Sequence, residues 1–217
     1  MSTTGGPRPD RVVVVLGTGT EVGKTWVGAR LLEALRGAGV AVAARKPGQS
    51  ADPDDTSPSD ADVLAGGSGE DPLAVCPAHR RYEVAMAPPM AAAALGRPVP
   101  SVAELAAELT WPEGVAVGLV ETAGGLLSPA ADDGTAVDLA RAVGCDLAVL
   151  VADAGLGTLN SVRLCLAALA GETWPTVVVL NRFDPDDALH RANRDWLADR
   201  DGVDLVTDVP ALVARLR

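Results

Sequence analysis

A chain of 217 residues, 48% of them hydrophobic, can bury one sizeable core and shows no shift in composition that would divide it into two balanced domains. Its 29 Asp and Glu outnumber 18 Lys and Arg, and the net charge of −11 repels a nucleic-acid backbone. No apolar run reaches the roughly 18 residues needed to cross a bilayer, and the opening MSTTGGPRPD is too polar for a secretion signal, so a cytoplasmic protein with neither nucleic-acid nor membrane partners is expected. Cys76, Cys145 and Cys165 are widely spaced and odd in number, which fits reduced, buried thiols. With His79 and His190 far apart and no C-x-x-C, a zinc site has little support.

In chain order, residues 1–10 carry Gly5, Gly6, Pro7 and Pro9 and predict a flexible tail, with a single domain from 11 to 217. RVVVVL (11–16) predicts a first strand. GTGTEVGKT (17–25) follows, then an amphipathic helix with Val27, Leu31, Leu32 and Leu35 on one face and stops at Gly37 and Gly39. Further strands are expected at 40–44, 115–121, 146–153, 176–180 and 203–206. Their continuous hydrophobicity, without alternation, means both faces are covered, as in a buried parallel sheet. Between the second and third strands DPDDTSPSD (52–60) reads as an exposed loop, and Asp60 as the cap of the helix that follows. The expected fold is α/β, a three-layer sandwich with a mainly parallel central sheet.

GTGTEVGKT fails the strict G-x-x-x-x-G-K-[ST] pattern, because Thr18 stands six before Lys24 and the nearest glycine, Gly17, is one further back. A strand running through a glycine-rich turn into a helix still points successive backbone N–H groups and a helix N-terminus at one spot, which suits an anion. Lys24 would reach terminal phosphates and the Thr25 hydroxyl would ligate Mg²⁺. A lysine at a strand end beside this loop, Lys46, lies in the usual ligand crevice of an open α/β sheet. Glu121, ending a Val-rich strand, is costly there unless a metal or partner meets it. DAGLGTLN (153–160) leads through glycines into a helix that Thr158 or Asn160 could cap.

The loop with its five-residue spacing resembles the P-loop of the dethiobiotin synthetases, and four more stretches follow in that family's order: RKPGQS, SDADVLAG, LVETAGGLLSP and DAGLGTLN. The resemblance runs from about residue 11 to about 212 and implies a P-loop NTPase fold. It implies that Lys46 and Lys24 are catalytic, with Lys46 acting on a carbamate and the transferring phosphoryl group. Thr25, Asp60 and Glu121 become Mg²⁺ ligands. ATP would be held by Thr20, Glu21, Val22, Gly23, Lys24, Thr25 and Trp26, by Asp60, by Glu121, Thr122, Ala123 and Gly124, by Asn181 and Arg182, and by Val209, Pro210 and Ala211 in DVPAL. The substrate would meet Lys46, Ser50, Pro88 (in MAPPMAAAALG, where Pro88 or Pro89 opens a helix), Gly157, Thr158, Leu159 and Asn160, the last four across a homodimer interface.

The implied reaction joins CO2 to 7,8-diaminononanoate, with ATP as co-substrate and Mg²⁺ as cofactor, closing a cyclic urea in biotin synthesis. Three positions depart from the family: Thr122 for glycine, Arg182 for the aspartate of an Asn-Asp pair, and Ser161 for a histidine. They keep a decayed homologue in view. A switch ATPase of the partitioning or metal-carrier type is the alternative from another class, although its extra lysine near the start of the loop is missing from Gly17-Thr18-Gly19. An amidoligase with a glutamine amidotransferase domain would need more length than is present.

Overall fold

A computed structural model describes residues 7–216. Six parallel strands form the central sheet: β1 (Arg11–Gly17), β2 (Val42–Arg45), β5 (Val117–Glu121), β8 (Leu147–Asp153), β9 (Thr176–Asn181) and β10 (Leu205–Val206), in the spatial order β10-β9-β8-β1-β5-β2. Two short pairs flank it, parallel β3 (Gln49–Ser50) with β4 (Arg81–Tyr82) and antiparallel β6 (Pro129–Ala131) with β7 (Gly134–Thr135). The helices are α1 (Lys24–Gly37), α2 (Asp60–Ser68), α3 (Pro72–Val75), α4 (Pro88–Ala94), α5 (Val102–Glu108), α6 (Ala136–Ala142), α7 (Thr158–Leu169), α8 (Ala188–Asp195) and α9 (Val209–Arg215).

The run of valines in β1 records its position. With β5 on one side and β8 on the other, β1 sends Val13 and Val15 into the core shared with α1 and α2, and Val12, Val14 and Leu16 into the core shared with α6 and α7. Alternate residues of a strand point to opposite faces, so both sets must be apolar when helices cover both faces. The three-layer α/β sandwich read from the sequence is the observed architecture. On α1, Val27, Leu31, Leu32 and Leu35 are all buried.

Two boundaries differ from expectation. Residues 1–6 of the expected tail lie outside the described residues, but Arg8–Asp10 are part of the body. Arg8 donates to the Gly144 carbonyl at 2.8 Å and to Asp146 Oδ2 at 2.7 Å, the Asp10 amide donates to Val115, and Pro9 is buried against Gly118. Asp60 does not cap α2. Ser59 does, through a capping box in which its hydroxyl accepts from the Asp62 amide, and Asp60 is the first helical residue. The cysteines are free, Cys76 and Cys165 buried and Cys145 half-buried.

Because every strand of the central sheet runs the same way, all their C-terminal ends lie along one edge. There the chain leaves β1 at Gly17, β2 at Arg45, β5 at Glu121, β8 at Asp153 and β9 at Asn181. An open parallel sheet binds ligands along that edge.

Candidate functional site

The loop between β1 and α1 is shaped by its own lysine. Lys24 folds back and donates to the Gly19 carbonyl at 3.0 Å, and a Cβ on Gly17 would sit 2.9 Å from Lys24 Cδ and 3.0 Å from Nζ. Gly17 is therefore the glycine this loop requires, and the one-residue offset from the strict pattern is accommodated. Gly23, with φ +95°, has the Asn181 amide pressed against it: a Cβ there would lie 2.0 Å from Nδ2. Glu21 is also left-handed, at φ +61°.

Helix α2 lies against α1 so closely that a Cβ on Gly67 would come within 2.6 Å of the Ala29 carbonyl oxygen. Gln49 fixes the start of α2 by accepting from the Ala61 amide at 3.0 Å. This packing sets Asp60 beside the first turn of α1, where Thr25 Oγ1 lies 2.8 Å from Asp60 Oδ1 and 2.9 Å from Glu121 Oε1. Lys46 Nζ completes the group, 2.5 Å from Glu121 Oε1 and 2.7 Å from Asp60 Oδ2. Four residues drawn from four segments of sequence thus meet at one end of β1.

Lys46 and Glu121 are almost wholly buried. Burial disfavours the Lys46 ammonium, yet the Glu121 and Asp60 carboxylates outweigh it and hold Lys46 above the ordinary lysine range. For Lys24 burial and the Lys46 charge win, and its pKa is lowered. Burial raises Glu121 against the opposing pull of Lys46, whereas Asp60 stays below the ordinary carboxylate range because Lys46 and the Thr25 hydroxyl outweigh its desolvation. Glu121 Oε2 is buried and has no hydrogen-bond partner among the described residues. An orphaned carboxylate oxygen beside a threonine hydroxyl and a second carboxylate is a set of hard oxygen donors that fits a small divalent cation sharing its shell with phosphate oxygens.

On the far side of α1 a cavity of about 770 Å³ opens next to Gly23. It is lined by Trp26, Asn181, Arg182, Val209 and Pro210, all expected at a nucleotide, and by Arg30, Glu33, Phe183, Thr207, Asp208 and Leu212, which sequence reasoning did not single out. The helical spacing of Trp26, Arg30 and Glu33 along α1 is the signal that would have found the first two. Ala211 is turned away and packs against the core. Asn181 donates Nδ2 to the Val22 carbonyl at 2.9 Å, leaving Oδ1 without a partner among the described residues. Arg182, at φ +57°, directs its guanidinium to the Glu21 carbonyl (2.9 Å) and to Asp153 (3.1 Å).

Thr122 is buried, with its amide and its hydroxyl both donating to the Val15 carbonyl at 3.1 Å. Ala123 and Gly124 carry the chain on to Gly125, which approaches Gly19 across the loop. Ser50 donates to the Met86 carbonyl, and Pro88 opens α4 beside Gly48, with Glu121 and Thr122 lining the same small cavity. Gly157, Thr158, Leu159 and Asn160 sit elsewhere, at the start of α7 beyond β8, and no hydrogen bond joins them to the Lys46 group among the described residues. Neither Thr158 nor Asn160 caps α7. Gly157 occupies that position at φ +95°, and Thr158 Oγ1 is buried without a partner among the described residues.

The strand, the glycine-rich turn, the Lys-Thr opening of the helix and the facing carboxylates define a P-loop nucleotide-binding protein of the α/β class. A family profile described as "AAA domain" matches residues 11–214. The chain is similar to the ATP-dependent dethiobiotin synthetase BioD of Rhodococcus jostii (39% identity over 94% of this chain and 88% of that protein) and of Anaeromyxobacter dehalogenans (38%, over 95% and 94%). It belongs to the dethiobiotin synthetase family. Among solved structures, a putative plasmid partition protein from Borrelia burgdorferi bound to AMPPNP aligns with a TM-score of 0.55 at 11% identity, covering 96% of this chain and 90% of that one. Chloroplast FtsY from Physcomitrella patens aligns at 0.54 and 20% identity over 93% of this chain, which spans 58% of that structure. At these identities the likeness shows the fold alone. No helix among the described residues is long and apolar enough to cross a membrane.

Proposed function

We propose that the chain carboxylates and cyclises 7,8-diaminononanoate with CO2 and ATP, giving dethiobiotin, ADP and phosphate. The observation that carries this reading is the meeting of buried Lys46 and Glu121 with the half-exposed Thr25 and Asp60 beside the Lys24 loop. A P-loop alone serves many ATPases, but a second, charged lysine at the phosphate end supplies what transfer to a carbamate needs.

One amine adds to CO2 as a carbamate and loses a proton. The carbamate oxygen then attacks the γ-phosphorus, the bond to the ADP oxygen breaks, and a carbamic-phosphoric mixed anhydride results. Attack of the second amine on its carbonyl expels phosphate, and loss of a proton from that nitrogen leaves the closed cyclic urea. Phosphoryl transfer is mostly positioning and charge neutralisation. The loop amides and Lys24 hold the phosphates, while Lys46 faces the negative charge shared between carbamate and γ-phosphate. Thr25, Asp60 and Glu121 would hold Mg²⁺, which when bound supplies further neutralisation of phosphate charge. No protein nucleophile is required. The cavity beside Trp26 and Asn181 is the proposed base site, with Asn181 Oδ1 free to accept from an exocyclic amine.

In this reading Ser50 and Pro88 meet the diamine from one subunit, and the amides at Gly157–Asn160 receive its carboxylate from the other. Support comes from the separation of that turn from Lys46 within one chain and from Leu156, which is 92% exposed beside it. Dilution into monomers should abolish turnover, and a fully active monomer would remove the shared site. The function itself is tested with ¹³C-bicarbonate, Mg·ATP and the diamine. A cyclic urea labelled at its carbonyl carbon is expected, and an unlabelled or absent product would refute the reading.

A further inference from the structure

Two parts of the site that sequence treats separately are joined by one side chain. Arg182 donates from one guanidinium nitrogen to the Glu21 carbonyl in the phosphate loop (2.9 Å) and from another to Asp153 Oδ2 at the end of β8 (3.1 Å). Asp153 uses its other oxygen, Oδ1, to accept from the Gly155 amide at 2.8 Å. The Gly155 carbonyl in turn accepts from the Thr158 amide, which opens α7. Asn193, buried on α8, donates to the carbonyls of Ala154 and Gly155 at 2.9 and 3.0 Å. The turn before α7 is thus held from both sides, and its link to the phosphate loop runs through Arg182.

Stability does not account for this link. The Arg182 and Asp153 side chains are 60% and 48% exposed, and exposed ion pairs are worth at most about 1 kcal/mol. Glu21, which the link reaches, and Arg182, which makes it, are both held in left-handed backbone, at φ +61° and +57°, which non-glycine residues adopt at a cost.

We infer that Arg182 and Asp153 are positioning residues that couple the nucleotide loop to the Gly155–Asn160 turn, so that filling one site tightens the other. The inference rests on the reading of that turn as the receptor for the substrate carboxylate. In the proposed homodimer the turn serves the neighbouring subunit, and the coupling then runs between the two active sites. A ligand that fixes the phosphate loop fixes Glu21, and through Arg182 and Asp153 it fixes the Gly155 amide. Such coupling is reciprocal by thermodynamic necessity.

Calorimetric titration of the full chain gives the Kd of Mg·AMPPNP with and without saturating 7,8-diaminononanoate. The wild type should show a ratio of at least about 5, the low end of ordinary coupling between sites. Asp153→Asn keeps an oxygen for the Gly155 amide but removes the charge facing Arg182. Its ratio should fall below about 2 while the Kd for nucleotide alone stays within about threefold of wild type. Arg182→Gly, which tolerates the left-handed backbone where alanine would not, should also lose the ratio, whatever its Kd for nucleotide alone, since Arg182 lines the proposed base cavity. A wild-type ratio near 1, or a ratio preserved in both variants, would overturn the coupling while leaving the proposed function intact. A wild type that binds nucleotide but not the diamine would overturn the proposed function, and this inference with it.

Discussion

Lys46 is one buried cation facing two carboxylates, the buried Glu121 and the half-exposed Asp60. Removing one member of a buried pair strands the other, at a cost of about 3–5 kcal/mol. Lys46→Gln should therefore lower stability by about 3 kcal/mol. Its folded fraction should still bind Mg·ATP, with kcat reduced by about 10²–10³ as expected when a donor to developing charge is lost. Unchanged turnover per folded molecule would remove Lys46 from the mechanism. At this scale the sequence was informative where chemistry restricts residue type: a strand-end glutamate and a Lys-Thr helix start have few other uses. It was silent on partners. Nothing in Asn181 or Arg182 as letters says that their side chains bind the loop carbonyls of Val22 and Glu21. Likewise Thr122, a departure from the family's glycine, is absorbed because its backbone avoids positive φ and its hydroxyl finds the Val15 carbonyl.

Between elements, the fit of α2 on α1 decides where Asp60 stands. Gly66 and Gly67 are adjacent and differ completely in surroundings: a Cβ on Gly66 meets nothing within 4 Å, whereas on Gly67 it meets the Ala29 backbone at 2.6 Å. Gly66→Ala should be neutral or stabilise by up to about 1 kcal/mol, from helix propensity. Gly67→Ala should destabilise by about 1–3 kcal/mol through overpacking, and by moving Asp60 off Thr25 it should raise KM for Mg·ATP. Chemical denaturation and steady-state kinetics on both variants check this pair, and equal behaviour would mean that the helix contact does not position the carboxylate. Strand and helix identities were legible because burial on two faces leaves continuous apolar runs and a helical face leaves its period. The anchoring of Arg8–Asp10 was not, since a Gly/Pro-rich stretch reads as a tail until Gly118 and Trp111 are seen to make a seat for Pro9.

Across the whole molecule the buried Cys76 and half-buried Cys145 thiols make stability depend on alkaline pH. Burial pushes Cys76 up to about 11 and Cys145 up to about 12. Folded thiols therefore keep their protons to higher pH than unfolded ones. Their contribution is complete below the ordinary thiol pKa and is lost as pH rises from there through 11 to 12. The urea midpoint should fall above about pH 9, and less steeply in a Cys76→Ala, Cys145→Ala double variant. Parallel curves would contradict the assigned burial effect.

The central claim is that ATP cleavage here serves ring closure. Its most direct test is phosphate release from Mg·ATP with bicarbonate present, measured with and without 7,8-diaminononanoate. Release strictly dependent on the diamine, matched one for one by cyclic urea, is the predicted result. Release indifferent to the diamine, or none with folded protein, would contradict the account and favour a P-loop switch ATPase or a decayed homologue.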